Sequence, residues 1–397
     1  MAHLRSRHIE QRLKKALTYA PCIGLLGMRQ TGKSTLLKMF SKEYYSFDNE
    51  GLISRFEREG SEILSLAPNP LGLDEVQKYP PIFDQLKLSV DRVKKPGRFL
   101  LSGSVRFSSR QQIRESLTGR IVLLELFPMT LAECHHKPLS IFLKLFHEKT
   151  PQEKLIDLLK KRSWASEEKI DHYQKTGGLP GICFRREESV RFDFYSSHLE
   201  TLLGRDIQLI RKIQLSVSKL ISLLTEIAKR QGLPINFSEL ARIVGTSIPT
   251  VKSALDVMEG VFLIRPYGDT WFLEDSGLSH FLAPQKDIAN QTTRWEMLKL
   301  CYLELRAQVS YGLKHEVGMK PYKTRGGIDI PFLIESKSGE RLAIVIEEEN
   351  LPSNKALKSL SWFGKHSKNT TPLILLNSHK PFISSTGILC LPWTWVF

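Results

Sequence analysis

Cysteine is sparse and scattered. Cys22, Cys134, Cys183, Cys301 and Cys390 are odd in number, lie far apart and never form C-x-x-C. A disulfide framework or a zinc site built on paired cysteines is therefore not expected, and a reducing cytoplasm suits the chain. Cys134-His135-His136 has no partner at metal-ligand spacing and reads as a polar loop. Long apolar runs are missing too, since none reaches the roughly 18 residues that a bilayer span requires. The basic opening MAHLRSRHIEQRLKKAL has no apolar core and no small-residue cleavage site, so no secretory signal is expected. There is no internal repeat and no low-complexity segment. These absences leave a cytoplasmic globular chain with no membrane partner.

What is present is enough chain for several domains. The 397 residues are 41% hydrophobic and 25% charged, near the average for folded domains, and the length suits two or three of them. The formal net charge is +15, which permits nucleic acid, an anionic surface or a phosphate ligand. Its distribution is uneven. Residues 1–137 carry 22 basic and 14 acidic side chains, residues 138–289 carry 21 and 19, and residues 290–397 carry 14 and 9. The excess sits at the two ends, and the middle is close to neutral.

Along the chain, Ile9, Leu13, Ala16 and Leu17 have helical spacing and stop at Pro21. The apolar run Cys22–Leu26 reads as a buried strand that enters a glycine turn, and Thr35–Phe40 continues as a helix. Further strand runs are Tyr44–Phe47, ending at Asp48, then Leu71–Leu73, ending at Asp74-Glu75, and Phe99–Leu101, ending at Ser102-Gly103-Ser104. Strands separated by helix-length stretches predict a parallel α/β sheet with its chemistry at the C-terminal strand ends. Residues 138–212 read as helical and polar, 216–283 as a helix-turn-helix with a following hairpin, and 290 onward as one long helix followed by strands.

Gly27-Met28-Arg29-Gln30-Thr31-Gly32-Lys33-Ser34 fits G-x-x-x-x-G-K-[ST] and lies between a strand and a helix. The glycines let backbone N–H groups turn inward around phosphates, and the following helix N-terminus adds partial positive charge. Lys33 is expected to reach the β- and γ-phosphates of a nucleotide and Ser34 to ligate Mg²⁺. Leu73-Asp74-Glu75 supplies the other half. Asp74 holds the metal through water or Ser34, and Glu75 is the candidate general base for an attacking water.

Several stretches occur in a telling order. They are Gly27-x-Arg29-Gln30-x-Gly32-Lys33-Ser34-Thr35, Phe47-Asp48, Asp74-Glu75-Val76-Gln77-Lys78-Tyr79-Pro80 and Leu101-Ser102-Gly103-Ser104. Leu117-Thr118-Gly119-Arg120, Phe127-Pro128-Met129-Thr130-Leu131-x-Glu133 and Gly177-Gly178-Leu179-Pro180 follow. The set resembles a prokaryotic family of AAA-type P-loop ATPases, mostly uncharacterised, in which the ATPase core precedes a winged helix and a domain related to restriction endonucleases. The resemblance implies an AAA-type α/β P-loop NTPase core over 1–137 and a helical lid or connector over 138–212. It further implies a winged helix-turn-helix over 213–286 and an α/β restriction-endonuclease-like PD-(D/E)xK domain over 287–397. It implies ATP and Mg²⁺ as ligands and a homo-oligomeric ATPase. Gly27, Arg29, Gln30, Thr31, Gly32, Lys33, Ser34 and Thr35 would cradle the nucleotide, with Ser34 and Asp74 on the metal. Ser104 would sense the γ-phosphate or position water. Arg120 would be an arginine for the γ-phosphate, in cis or from a neighbouring subunit, with a surface salt bridge as the plain alternative. Arg29 would face either a phosphate or a protein partner.

The helix-turn-helix spacing runs through Leu240, Ala241, Val244, Gly245, Val251 and Leu255, with Thr250–Leu255 as the second helix. Residues 216–283 hold six basic and seven acidic side chains, and that second helix offers only Lys252. No electrostatic footprint for DNA is visible, which favours a structural or protein-contact role. In the last domain Glu296, Asp329 and Glu347 fall on nuclease-like positions, but Glu349 stands where the motif's lysine belongs. A carboxylate there repels the scissile phosphate, so a degenerate domain kept for interaction is expected. The leading expectation is an ATP-hydrolysing switch or remodeller that acts through its C-terminal domains, with a protein or nucleic acid as candidate partner. The alternative is an ATP-regulated DNA-binding protein or nuclease.

Overall fold

The computed structural model describes residues 5–106, 117–140, 142–143, 152–161, 165–284, 293–313 and 317–397. Helix α1 (Glu10–Leu17) leads into β1 (Cys22–Leu26), whose five residues are all buried, as expected of a strand covered on both faces. Then follow α2 (Lys33–Phe40), β2 (Glu43–Ser46), α3 (Glu50–Leu66), β3 (Leu71–Asp74), α4 (Ile82–Arg92), β4 (Phe99–Gly103) and β5 (Ile121–Glu125). These strands form one parallel sheet in the order β2-β3-β4-β1-β5. All five therefore end on one edge, which collects Gly27, Asp74 and Ser104 from distant parts of the sequence. Strand β5 is not among the strand runs read above. It is an edge strand with Leu123 exposed.

A helical stretch follows, with α5 (Leu131–Cys134), α6 (Gln152–Lys160), α7 (Glu167–Thr176) and α8 (Glu188–Thr201), and α8 runs on into a π-helical turn over Leu202–Asp206. Three helices come next, α9 (Val217–Lys229), α10 (Phe237–Val244) and α11 (Ile248–Gly260), with a hairpin of β6 (Ile264–Tyr267) and β7 (Thr270–Leu273). Gly245 takes the left-handed turn that ends α10, at φ 64°. Helix α12 (Ser276–Leu282) leads toward the C-terminal unit.

That unit opens with α13 (Arg294–Ala307), started by a Thr293/Glu296 capping box. A six-stranded mixed sheet follows, from β8 (Val317–Lys323), β9 (Asp329–Ser336), β10 (Arg341–Glu347), β11 (Thr370–Leu376), β12 (Phe382–Ile383) and β13 (Leu389–Pro392). Helix α14 (Asn354–His366) crosses between β10 and β11. The strand order is β12-β13-β11-β10-β9-β8.

Apolar packing does not stop at the expected domain borders. One continuous core joins Leu73 and Leu101 of the first sheet, Leu199 and Leu203 of the helical stretch, and Leu224 and Val251 beyond it. The opposite face of the first sheet packs Leu25 and Leu124 with Ala307 and Tyr311 from the end of the C-terminal helix. Polar contacts reinforce this second seam. The Tyr311 hydroxyl accepts from Phe127 N–H at 2.8 Å, and Glu274 is held between Arg265 and Arg306. Among the described residues no helix is long and apolar enough to cross a membrane.

Candidate functional site

The phosphate loop is shaped by residues that tolerate its backbone. Gly27 has φ 152°, and a Cβ there would lie 2.3 Å from the Leu126 carbonyl oxygen. Gly32 has φ 99° and is the N-cap of α2, so the first N–H groups of that helix open onto the loop. Gln30, at φ 65°, is the one non-glycine residue of the loop in the left-handed region. Lys33 is almost fully buried, and its ammonium donates to the carbonyls of Gly27 and Met28, both at 2.8 Å. Burial pushes its pKa down to about 8, with Glu75 and Asp74 holding it from falling further.

Opposite the loop stand the two carboxylates. Asp74 ends β3 and accepts hydrogen bonds from the hydroxyls of Tyr44 and Ser102. Burial and then Asp74 raise the Tyr44 pKa well above the usual phenol value, and it stays a donor. Glu75 sits at φ 53°, ψ 42°, a conformation that costs a non-glycine residue about 1–3 kcal/mol and is typical of functional strand ends. Its Oε2 accepts from Gln77 Nε2 and from Ser104 Oγ at 3.3 Å, and Gln77 Nε2 also lies 3.0 Å from Ser104 Oγ. Ser104 is thus a direct neighbour of the candidate base.

Arg29 is paired within its own chain. Its guanidinium makes a two-pronged pair with Asp206, the second contact being Nη2 to Oδ1 at 3.0 Å. Asp206 comes from the π-helical turn after α8 and is fully buried. A second clamp comes from Arg7, which precedes α1 and donates to the carbonyl of Thr31 in the loop and to that of Phe127 at 2.7 Å. Arg7 is held in turn by Glu133, 3.1 Å away. The Gly177-Gly178 pair has a steric reason. A Cβ on Gly178 would fall 2.1 Å from the Met129 carbonyl oxygen, and Gly178 N–H donates to Asp275 at 2.7 Å. This pins the helical stretch to the segment after β5.

Gly27, Arg29, Thr31, Gly32, Lys33, Ser34, Asp74, Glu75 and Ser104 are gathered at one edge of the sheet. Gln30 and Thr35 belong to the same loop and helix but are exposed. Thr31 is buried and its hydroxyl donates to the Met28 carbonyl at 2.9 Å. Arg120 is not brought there. It immediately precedes β5 and pairs with Asp91, Nε to Oδ1 at 2.7 Å and Nη2 to Oδ2 at 3.0 Å, at the opposite end of strands about 15 Å long. That corrects the cis reading of Arg120, because a side chain on the N-terminal edge of the sheet cannot reach a phosphate on the C-terminal edge of its own chain.

The C-terminal carboxylates have different fates. Glu296 is spent on its capping box, Asp329 Oδ2 pairs with Arg294 at 3.3 Å, and Glu347 accepts from Ser353 at 3.0 Å. Among the described residues no group of three acidic, histidine or cysteine side chains could hold a metal ion.

Five parallel strands in this order, with the loop and acids at their C-terminal ends, can be compared with known proteins. Residues 19–135 match an AAA domain. Residues 167–269 match a domain of unknown function (DUF8612), which runs from the start of α7 to the turn between β6 and β7. The AAA match implies ATP binding and hydrolysis for the first sheet and leaves the downstream role open. The chain is 25% identical over 297 residues to the uncharacterized proteins Rv2008c of Mycobacterium tuberculosis and Mb2031c of Mycobacterium bovis. Those alignments cover 70% of this chain and 60% of each relative, so the chain spans three fifths of the length of the curated relatives it matches. Among solved structures it is similar to the Walker-type ATPase PABY2304 of Pyrococcus abyssi, at 14% identity and a TM-score of 0.40. That alignment covers 70% of this chain and 95% of the other.

Arg7, Tyr44, Gln77, Ser102 and Asp206 are site residues that sequence reasoning missed. Gln77 and Ser102 lay inside stretches singled out for their chemistry, and Tyr44 was read only as part of a strand. Arg7, Tyr44 and Asp206 carry no local motif, and their roles come from partners far along the chain.

Proposed function

We propose that this chain is a Mg²⁺-dependent ATPase whose nucleotide state is passed to the helical stretch and the C-terminal units. The observation that carries the reading is the meeting of Lys33, Ser34, Asp74, Glu75 and Ser104 at one sheet edge around a glycine loop. The donor set fits the ligands. The positive φ of Gly27 and Gly32 shapes the loop, a buried ammonium is at hand for phosphate, and Ser34 and Asp74 offer hard oxygen ligands for Mg²⁺.

Bound there, Mg²⁺ supplies charge neutralisation at the phosphate oxygens. Lys33 exchanges its two loop carbonyls for the β- and γ-phosphates of ATP. Glu75 accepts the proton of the attacking water, and Gln77 and Ser104 fix the carboxylate so that little reorganisation is needed. Arg120 is available only to a nucleotide in a neighbouring copy. Arg29 ties the loop to Asp206, so movement of the loop is felt by the helical stretch.

We assign 1–137 to the ATPase core, 138–212 to the lid, 213–286 to a winged helix and 287–397 to a degenerate nuclease-like unit. The last two are read as protein-contact elements. Support comes from the balanced charge of 216–283 and from the acids of the C-terminal sheet, which are satisfied within the chain. The test is ATP hydrolysis by wild type and Glu75→Gln, with and without duplex or single-stranded DNA at two salt concentrations. Turnover lost in the variant and indifferent to DNA supports the reading, whereas undiminished turnover in Glu75→Gln removes it.

A further inference from the structure

Helix α14 closes the outer side of the C-terminal sheet. Ala356, Leu360 and Phe363 turn inward and pack with Val345 and Ile374. Its other side meets solvent. Lys355, Lys358, Trp362, Lys365 and His366 are all exposed, and at helical spacing they fall on one stripe about 16 Å long. Residues 351–397 hold five lysines and no aspartate or glutamate. Among the described residues, Lys355, Lys358 and Lys365 have no hydrogen-bond or ion-pair partner. A row of solvated lysines is ordinary, but two features of this row are not. Lys355 stands in the first turn of α14, where the helix dipole disfavours a cation and no acid offsets it. Trp362 is 38% exposed in the middle of the stripe, with the His366 ring stacked on it at 4.2 Å.

The stripe begins at a cavity. Between the β6–β7 hairpin, the start of α13 and β9 lies a space of about 400 Å³ walled by Tyr267, Phe272, Trp295, Leu298 and Phe332, and Lys355 also lines it. The two acids of the lining are already matched, Asp269 by Lys323 at 2.9 Å and Asp329 by Arg294 at 3.3 Å. Lys355 is therefore its uncompensated charge. Apolar walls beside unpaired cations suit a ligand that is part apolar and part acidic.

We propose that the outer face of α14 and the adjoining cavity dock an acidic, amphipathic segment of a partner protein. Its carboxylates meet Lys355, Lys358 and Lys365, its apolar face covers Trp362, and one large apolar side chain enters the cavity. The inference rests on the protein-contact reading of the C-terminal unit and gives that partner its chemistry. Nucleic acid fits the surface less well. Three lysines neutralise few phosphates, the balanced charge of 216–283 adds no basic footprint, and a phosphate backbone leaves the apolar cavity unused. An amphipathic helix instead carries acids and apolar groups at the same i, i+3, i+7 spacing that α14 presents. Because the cavity is walled by the hairpin as well as by the C-terminal unit, one anchor touches both.

Fluorescence anisotropy on the full chain, at about 150 mM salt, tests this. The probe is a labelled synthetic helix of about four turns, with glutamates along one face, leucines along the other and a phenylalanine near one end. A peptide with lysine for each glutamate and a labelled single strand of DNA are run beside it. Wild type should bind the acidic peptide and not the lysine peptide. Reversing the stripe, Lys355→Glu with Lys358→Glu and Lys365→Glu, should weaken the acidic peptide about tenfold to a hundredfold and let the lysine peptide bind. Trp362→Ala, at an exposed position, should weaken it about fivefold to thirtyfold. Alanine for the phenylalanine of the peptide should cost wild type a similar factor. That loss should shrink in Trp295→Ala, a coupling that a general change in stability does not produce. Failure of wild type to bind the acidic peptide, or equal binding by the reversed variant, would overturn the inference. DNA binding that is lost on reversing the stripe, with the peptide unaffected, would overturn the protein-contact reading of the unit as well. ATP turnover should be the same in the reversed variant and wild type, so failure of the Glu75→Gln test strikes the nucleotide reading and leaves this surface standing.

Discussion

Two sheets in this chain end in carboxylates, and their fates differ. At the first sheet, Asp74 and Glu75 take their hydrogen bonds from neutral donors: Tyr44, Ser102, Gln77 and Ser104. Neutral donors orient a carboxylate without forming an ion pair with it, so it remains able to meet a metal or a proton. At the C-terminal sheet, Asp329 is matched by the cation Arg294 and Glu296 closes its own helix cap. An acid whose charge is already balanced, or whose lone pairs are spent on local backbone, has little to offer a metal. The contrast is between Asp74 and Glu75, which are oriented by neutral donors beside the phosphate loop, and Asp329, which is paired with a cation.

That contrast can be broken by measurement. The largest effect is expected from Glu75→Gln, which should lower turnover about 10²–10⁴-fold while nucleotide binding persists, the usual contribution of a general base. A steady-state assay beside a binding titration checks it. Lys33→Ala should weaken Mg-ATP binding about a hundredfold, since it removes charge-assisted bonds worth about 1.5–3 kcal/mol each. Asp206→Asn leaves Arg29 without its counter-charge. Because that guanidinium is partly solvated, a loss of roughly 1–3 kcal/mol is expected in denaturant unfolding. The smallest effect belongs to the other sheet. Asp329→Ala should change ATP turnover not at all and stability by about 1 kcal/mol or less, as for a partly exposed pair. Loss of turnover there would erase the distinction between the two sheets.

The seam between the sheets should respond to acid. Arg265 and Arg306 hold the Glu274 carboxyl well below its ordinary value of 4.5, against the opposing effect of burial. A group depressed in this way contributes stability that is present above 4.5 and is lost as pH falls below it. Thermal midpoints measured from pH 6 down to pH 3 should therefore fall more steeply for wild type than for Glu274→Gln.

Much of the first site was legible because its determinants are local. Gly27, Gly32, Lys33 and Ser34 act through backbone conformation and a helix N-terminus, and both are properties of consecutive residues. Asp74 and Glu75 could be placed because an apolar run fixes where a strand stops. The partner of Arg29 was not legible, because Asp206 lies far along the chain and nothing around it marks it as an acid in search of a guanidinium. Arg120 misled for a related reason. The apolar run after the Gly-Arg step was not read as a strand, so nothing placed Arg120 at a strand's N-terminal end, away from the phosphate loop.

From the sequence alone came a phosphate loop, two acids at a strand end and an α/β frame to carry them, because short-range sterics and hydrophobic periodicity suffice for these. The tertiary structure alone decided that Arg29 is held by Asp206, that Arg7 clamps the loop through the Thr31 carbonyl, and that Asp329 of the second sheet is paired with Arg294. Those outcomes depend on which groups lose water together, and desolvation is a property of the packed chain rather than of any stretch of it.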